Sequence, residues 1–198
     1  MAINFQTSKT KENLMKAFAG ESQARNRYTI AAEIADKQGL YAIGKIFTFT
    51  AEQERAHAQR FYELLKQAEG TTIDICGGFP VDTYDSIVDL LKSAEHNETE
   101  EFEDVYPAFA NIAKDEGFLE VASAFFQFAE IERVHARRFE QLKSWLENQK
   151  YYERSERSAW MCLNCGYIHE GMKIPGVCPV CRHEKGYFIP LEMAPYTI

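Results

Sequence analysis

No apolar run in the 198-residue sequence approaches the roughly 20 residues that a membrane-spanning helix needs. The first residues, MAINFQTSKTKENLMKAF, lack the apolar core and small-residue cleavage site of a secretory signal, so the cytoplasm is the expected compartment. Basic charge is also scarce: 22 Lys and Arg stand against 30 Asp and Glu, a formal charge of −8. Such a chain repels phosphate backbones, and no basic patch with interleaved aromatics offsets this, which sets nucleic-acid binding aside. Cysteine is missing before position 76. Of five in all, four crowd into the last 40 residues as two Cys-x-x-Cys pairs. In a reducing compartment that distribution argues for metal rather than disulfides.

What the sequence does have is helical periodicity. Residues 8–146 read as helix almost throughout. Breaks at Gly39, at 70–81 and at Asp115-Glu116-Gly117 leave four helices, over 8–37, 41–68, 83–115 and 118–148. Two short links and one longer crossover suit a mainly α, ferritin-like four-helix bundle. Pro107 is expected to kink or bend the third helix.

The two halves of this region are related. A shift of 78 residues lays AEQERAHAQRF (51–61) on AEIERVHARRF (129–139), with eight of eleven positions identical. It also pairs Tyr28 with Tyr106, Ala35 with Ala113 and Gly39 with Gly117. A duplicated helix pair with pseudo-twofold symmetry is expected. The same shift sets Thr99, not Glu98, opposite Glu21; one extra residue between Glu98 and Tyr106, as in a π-bulge, reconciles the halves.

Steps of four and three trace the inward stripe of each helix. The second gives Ile43, Phe47, Thr50, Glu54, His57, Phe61 and Leu64; the fourth gives Val121, Phe125, Phe128, Glu132, His135, Phe139 and Leu142. The third gives Tyr84, Val88, Leu91, Glu95, Glu98 and Phe102; the first gives Leu14, Phe18, Glu21, Arg25, Tyr28, Ala32 and Ala35. Five glutamates and two histidines thus interrupt apolar stripes at matching depth. Each buried unpaired carboxylate costs several kcal/mol, against a net domain stability of about 5–15 kcal/mol. Cations must compensate them. Oxygen with imidazole donors suits iron, manganese or zinc. One Glu from each of two helices plus Glu-x-x-His from each of the others is a dinuclear-metal pattern. A single Glu-x-x-His is usually a solvated face; two symmetry-related copies on the core stripe are not. Glu52 and Glu130 lie off the stripe and are expected at the surface or behind the ligands, His96 is expected at the surface, and Arg25 is expected to pair with a buried carboxylate.

Near the end, Cys162-x-x-Cys165 and Cys178-x-x-Cys181 are two knuckles twelve residues apart. They can build a tetrahedral thiolate site for iron or zinc. About 40 residues bury too little surface to fold alone, so the metal is expected to hold this module together. The expected division is a bundle at 1–149, a linker at 150–158 and a four-cysteine domain at 159–198, with Trp160, Tyr167 and Phe188 packed around the metal.

The run CxxCGY…G…PxxCPxC resembles rubredoxin. With ESQARNRY around Glu21, the two Glu-x-x-His helices, the Glu95-x-x-Glu98 pair and YPxFAxxA at 106–113, nearly the whole chain resembles rubrerythrins. That resemblance implies a di-iron site in which Glu54 and Glu132 bridge, Glu21 is terminal on one iron, and Glu95 and His135 are terminal on the other. Glu98 and His57 would alternate on the first iron, Glu98 when oxidised and His57 when reduced. It implies a mononuclear iron held by Cys162, Cys165, Cys178 and Cys181. It further implies a peroxidase that reduces hydrogen peroxide to water and protects an anaerobe or microaerophile, with Glu54, His57, Glu98 and Glu132 as its catalytic ligands. Its electrons would come from a rubredoxin or a separate NAD(P)H-dependent reductase, and it would act as a head-to-tail homodimer. The absence of a glycine-rich dinucleotide fingerprint fits that division of labour. The competing expectations are an iron-oxidising storage subunit and an electron carrier with a structural bundle.

Overall fold

The computed structural model describes residues 3–195; the outermost ends of the two expected domains, 1–2 and 196–198, lie outside the described residues. The bundle consists of α1 (Lys9–Lys37), α2 (Tyr41–Leu64), α3 (Ile87–Glu100), α4 (Tyr106–Asp115) and α5 (Leu119–Glu147). α1 pairs with α2, while α3 and α4 together run along α5. Ser8 caps α1 by accepting from the Lys11 N–H, and Ser86 caps α3 by accepting from the Asp89 N–H.

The two hairpin turns repeat each other at the predicted spacing. Gly39 and Gly117 both take the left-handed conformation, with φ of +70° and +90°. Each is followed by the same closing bond, Leu40 N–H to Ala35 O and Phe118 N–H to Ala113 O. Between the hairpins, residues 71–84 form an extended crossover. It is pinned where Gln23 donates to the Pro80 carbonyl and where Arg27 and Asn97 converge on Asp82 Oδ2 at 2.8 and 2.9 Å.

The expected third helix is divided. It starts at Ile87, and after Glu100 it passes through a π-helical turn, Glu101–Val105, before α4 begins. Pro107 follows this turn at the start of α4, where its missing N–H and its ring are tolerated. The second helix ends at Leu64, and only a short 3₁₀ turn, Lys66–Ala68, continues it.

A layer of charged side chains cuts the bundle core in two. On one side lie Tyr28, Ile43, Phe47, Leu91, Phe139 and Leu142; on the other lie Leu14, Phe61, Tyr106, Val121 and Phe125.

The C-terminal region is a three-stranded antiparallel sheet of order β2-β1-β3, with β1 Glu153–Cys162, β2 Ile168–Lys173 and β3 Phe188–Pro190. The segment expected as linker is therefore not free chain. Tyr151 is buried in the bundle core, its carbonyl accepts from the Trp160 indole N–H, and Glu153 onward belongs to β1. Trp160 and Phe188 form the small core with Cys162 and Cys178, and Tyr167 packs against it. The module rests on the α1–α2 turn: Tyr187 stacks on Tyr41, and Ile189 and Ala194 bury Ala42. Gly186 makes this approach possible, because a Cβ there would lie 1.7 Å from the Gly39 carbonyl oxygen. We predict that Gly186→Ala separates the module from the bundle end. Limited proteolysis should then cut faster within 150–158 while bundle helicity stays unchanged; equal cleavage rates would refute the contact.

Candidate metal centre

Glu21 on α1, Glu54 and His57 on α2, Glu98 on α3, and Glu132 and His135 on α5 meet in the layer between the two apolar cores, each no more than 6% exposed. Their arrangement obeys the sequence repeat. His57 Nδ1 lies 2.8 Å from Glu54, 3.1 Å from Glu132 and 3.7 Å from Glu21. His135 Nδ1 lies 2.8 Å from Glu132, 3.0 Å from Glu54 and 3.7 Å from Glu98. Glu54 and Glu132 therefore each reach both imidazoles, whose rings lie 5.6 Å apart and 12° from parallel. Glu21 and Glu98 take equivalent outer places. Tyr106 donates its hydroxyl to Glu21, and Tyr28 donates to Glu98. Two overlapping groups of four donors result, one around each histidine, with donor atoms within 4.8 Å of one another.

Burial pushes Glu21 well above the usual carboxylate range, with the Glu132 charge adding to it. Burial and the Glu54 charge push Glu98 up to about 8. Burial also opposes ionisation of Glu54, but bonds from His135 and His57 hold it down at about 2. Burial pulls both imidazoles down, yet the carboxylates outweigh it: His135 rises to about 12 and His57 rises further. Protons thus stand where cations are needed. Hydrogen bonding does not satisfy the cluster. Apart from these close carboxylate–imidazole approaches, both Glu54 oxygens, both Glu132 oxygens, one oxygen each of Glu21 and Glu98, and ring nitrogens of both histidines have no hydrogen-bond partner of good geometry. Buried polar atoms without partners are rare in folded proteins. Eight or more atoms aimed into one layer fit a pair of bound cations, and the oxygen and imidazole donors suit iron.

Glu95 is not part of this layer. It sits one helical turn earlier on α3, half-buried and paired with Lys143 from α5. A further carboxylate, Glu101, opens the π turn. Burial and the charges of Glu21, Glu98, Glu132 and Glu54 all push its carboxyl upward, and it lines one cavity with Tyr106, whose hydroxyl donates to Glu21. The signal for it lies in the repeat: once an extra residue is allowed before Tyr106, Glu98 becomes the counterpart of Glu21, and the additional carboxylate must lie beyond it. Arg25 also departs from expectation, being exposed and 3.9 Å from the exposed Glu52. Glu130 and His96 are at the surface as expected. Cys76 is an exposed free thiol on the crossover.

The second site gathers Cys162, Cys165, Cys178 and Cys181. Cys162 and Cys181 are 3.7 Å apart at sulfur, as are Cys165 and Cys178. A tetrahedron with metal–sulfur bonds of about 2.3 Å has edges of about 3.8 Å, so the sulfurs are already spaced for a metal. Backbone N–H groups point at the sulfurs; that of His183 lowers Cys181 to about 6, while burial raises Cys162 to about 12. Each knuckle turns through a left-handed residue, Gly166 at φ +77° and Arg182 at φ +65°. A Cβ added at Gly166 would meet no atom within 4 Å, so only backbone conformation demands glycine there. Gly166→Ala should lower the stability of the metal-loaded module by about 1–2 kcal/mol, and Arg182→Gly should move it the opposite way. Thermal unfolding followed at the thiolate absorption checks both.

Known proteins carry the same two sites in the same order. The rubrerythrin family model matches residues 12–143, and that of the rubrerythrin rubredoxin-like domain matches 160–189. The chain is 45% identical to a rubrerythrin of Porphyromonas gingivalis, over 93% of this chain and 91% of that protein. It is 41% identical to a rubrerythrin of Nitratidesulfovibrio vulgaris, over 91% and 93%. Among solved structures, partially reduced nigerythrin aligns with a TM-score of 0.63 at 31% identity, covering 96% of this chain and 88% of that one. A Desulfovibrio desulfuricans bacterioferritin with a di-iron site aligns with a TM-score of 0.65 at 25% identity, covering 72% and 82%. With a carboxylate–histidine layer fit for two irons and a four-cysteine rubredoxin-like site behind it, this chain belongs to the rubrerythrin family.

Proposed function

We propose that the chain reduces hydrogen peroxide to water at the carboxylate–histidine layer, with electrons delivered through the four-cysteine site. One observation carries this reading: a dinuclear oxygen and nitrogen donor set and a mononuclear thiolate set lie in one chain. Storage of iron would need no attached electron relay, and a pure carrier would need no carboxylate layer.

In this reading Glu54 and Glu132, each within reach of both imidazoles, are the shared ligands. Glu21 and His57 hold one ion, and Glu98 and His135 hold the other. Two irons held there supply the two electrons that cleavage of a peroxide O–O bond requires. The chain does the remaining work. Tyr28 and Tyr106 fix the outer carboxylates by donating to them, and so aim their free oxygens into the layer. The apolar cores on either side exclude water, which strengthens each electrostatic contact inside. The resemblance assigns an alternating place to Glu98. Glu98, however, is held by Tyr28 and faces His135, so we assign that place to Glu101, in exchange with His57. Glu101 belongs to a π turn, a helical form that recurs at functional sites.

A homodimer with head-to-tail placement fits the distances. Tyr41 touches the C-terminal module through Tyr187, and His57 lies sixteen residues further along α2, about 24 Å at 1.5 Å per residue. That span is long for direct transfer within one chain, so the thiolate site of one subunit serves the cluster of the other. Phe49, Ile131 and Val134 leave an apolar face exposed on α2 and α5 for such a contact. The external donor is a rubredoxin or a separate NAD(P)H-dependent reductase. Four cysteines gathered as a thiolate site, rather than paired in disulfides, support a cytoplasmic placement.

Two measurements test this assignment. Glu95→Gln should keep two metal ions per bundle after dialysis against a chelator, whereas Glu98→Gln should weaken retention at least about tenfold. Loss in Glu95→Gln with full retention in Glu98→Gln would reverse the assignment. In stopped-flow, the anaerobically reduced protein should be oxidised faster by hydrogen peroxide than by oxygen. The reverse order would favour iron oxidation, the reading that the likeness to a bacterioferritin supports.

A further inference from the structure

We infer that small oxidants reach the metal layer through the cavity beneath the crossover, and that the absence of a side chain at Gly20 keeps this passage open. The identity of the oxidant rests on the peroxidase reading; the passage itself does not. The cavity, of about 280 Å³, lies between the middle of α1, residues 76–80 of the crossover, and the π turn with the start of α4. Its wall includes Glu101, which opens the π turn, and Tyr106, whose hydroxyl donates to Glu21. Glu101 is half-buried, and this cavity is the space it borders. A second cleft of about 310 Å³ on the α2–α5 side stops at Phe128, whose ring packs edge-on against His57 with centroids 4.8 Å apart.

Gly20 is the telling residue. A glycine inside a helix costs about 1 kcal/mol relative to alanine, and packing commonly accounts for it. Gly44 shows such a case: a Cβ there would lie 2.4 Å from an Asp36 carboxylate oxygen. At Gly20 a Cβ meets no atom within 4 Å, and the backbone is right-handed helix throughout. Neither crowding nor conformation asks for glycine. What the missing side chain leaves is open space in the cavity wall, one residue before Glu21. The roof is built the same way. Gly77 and Gly78 put no side chains into it, and Gln23, Arg27 and Asn97 tether the chain just beyond them at Pro80 and Asp82. Cys76, Phe79 and Pro80 flank these glycines in the roof, which, tethered there, admits a molecule the size of peroxide and disfavours bulky organic hydroperoxides.

The test uses Gly20→Leu in the full metal-loaded chain. Metal content should be unchanged and thermal stability equal or higher, because the helix gains a better former. The second-order rate of oxidation of the reduced cluster by hydrogen peroxide should fall at least tenfold. The rate of azide binding to the oxidised cluster, read optically without turnover, should fall in parallel. Independently, alkylating Cys76 at the cavity mouth with a bulky maleimide after metal loading should slow both rates. The same reagent should change neither rate in Cys76→Ala. Unchanged peroxide and azide rates in Gly20→Leu with normal metal content would overturn the passage and leave the peroxidase reading intact. An unmodified chain inert to peroxide, whose azide binding still slows in Gly20→Leu, would overturn the reading and leave the passage intact.

Discussion

Glu54 and Glu132 approach each other across the bundle with an imidazole on either side and almost no water. Two like charges in that setting repel strongly, and each also loses its hydration. The surroundings are built to offset this. Burial favours the protonated forms of Glu21 and Glu98, and the carboxylates favour protonated imidazoles, so the layer calls for positive charge. Metal ions must displace those protons, so binding is coupled to proton release. Aromatic rings close the layer from both sides, Phe47 and Phe139 above and Phe61 and Phe125 below, and fix the helix spacing at which the donors meet.

The π turn governs which carboxylates belong to the layer. In a continuous α-helix, the register that brings Tyr106 to Glu21 would turn Thr99 toward the layer. One extra residue between Glu98 and Tyr106 lets both tyrosines serve opposite carboxylates, Tyr28 with Glu98 and Tyr106 with Glu21. It also puts Glu101 on the wall of the cavity that Tyr106 lines and leaves Glu95 to Lys143. Pro107 belongs to the same device. It stands at the start of α4 directly after the π turn, so its missing N–H falls where the α-helical bonding pattern is already interrupted.

Much of this is legible in the residues. The four helices, the repeat, the two Glu-x-x-His elements and the thiolate knuckles each obey a strict local period, and a period can be read without tertiary context. The third helix is harder, since its inward stripe depends on the turn angle. A stripe drawn with α-helical steps through Tyr84, Val88 and Glu95 runs along the wrong edge. The buried residues are Ile87, Leu90, Leu91, Ala94, Asn97 and Glu98, of which the expected stripe held Leu91 and Glu98. The segment 150–158 misleads for a similar reason. Its polar residues alternate on the exposed faces of β1, while Tyr151 anchors in the bundle core, and composition alone does not distinguish a strand from a tether.

Docking of the small module on the α1–α2 turn gives the thiolate site a defined orientation relative to the bundle. Gly39 and Gly186 make that contact backbone to backbone, with Tyr41 and Tyr187 stacked beside it. A module held that rigidly cannot swing along its own helices to the metal layer. Reduction within one chain would have to cross most of the length of α2. Delivery to a second subunit needs only that two rigid bodies meet in one orientation, and preorganised surfaces do this at low entropic cost. In the proposed dimer, the glycine contact at the bundle end and the exposed apolar face on α2 and α5 would be two parts of one arrangement, in which fixing the relay on its own subunit makes it useful to another.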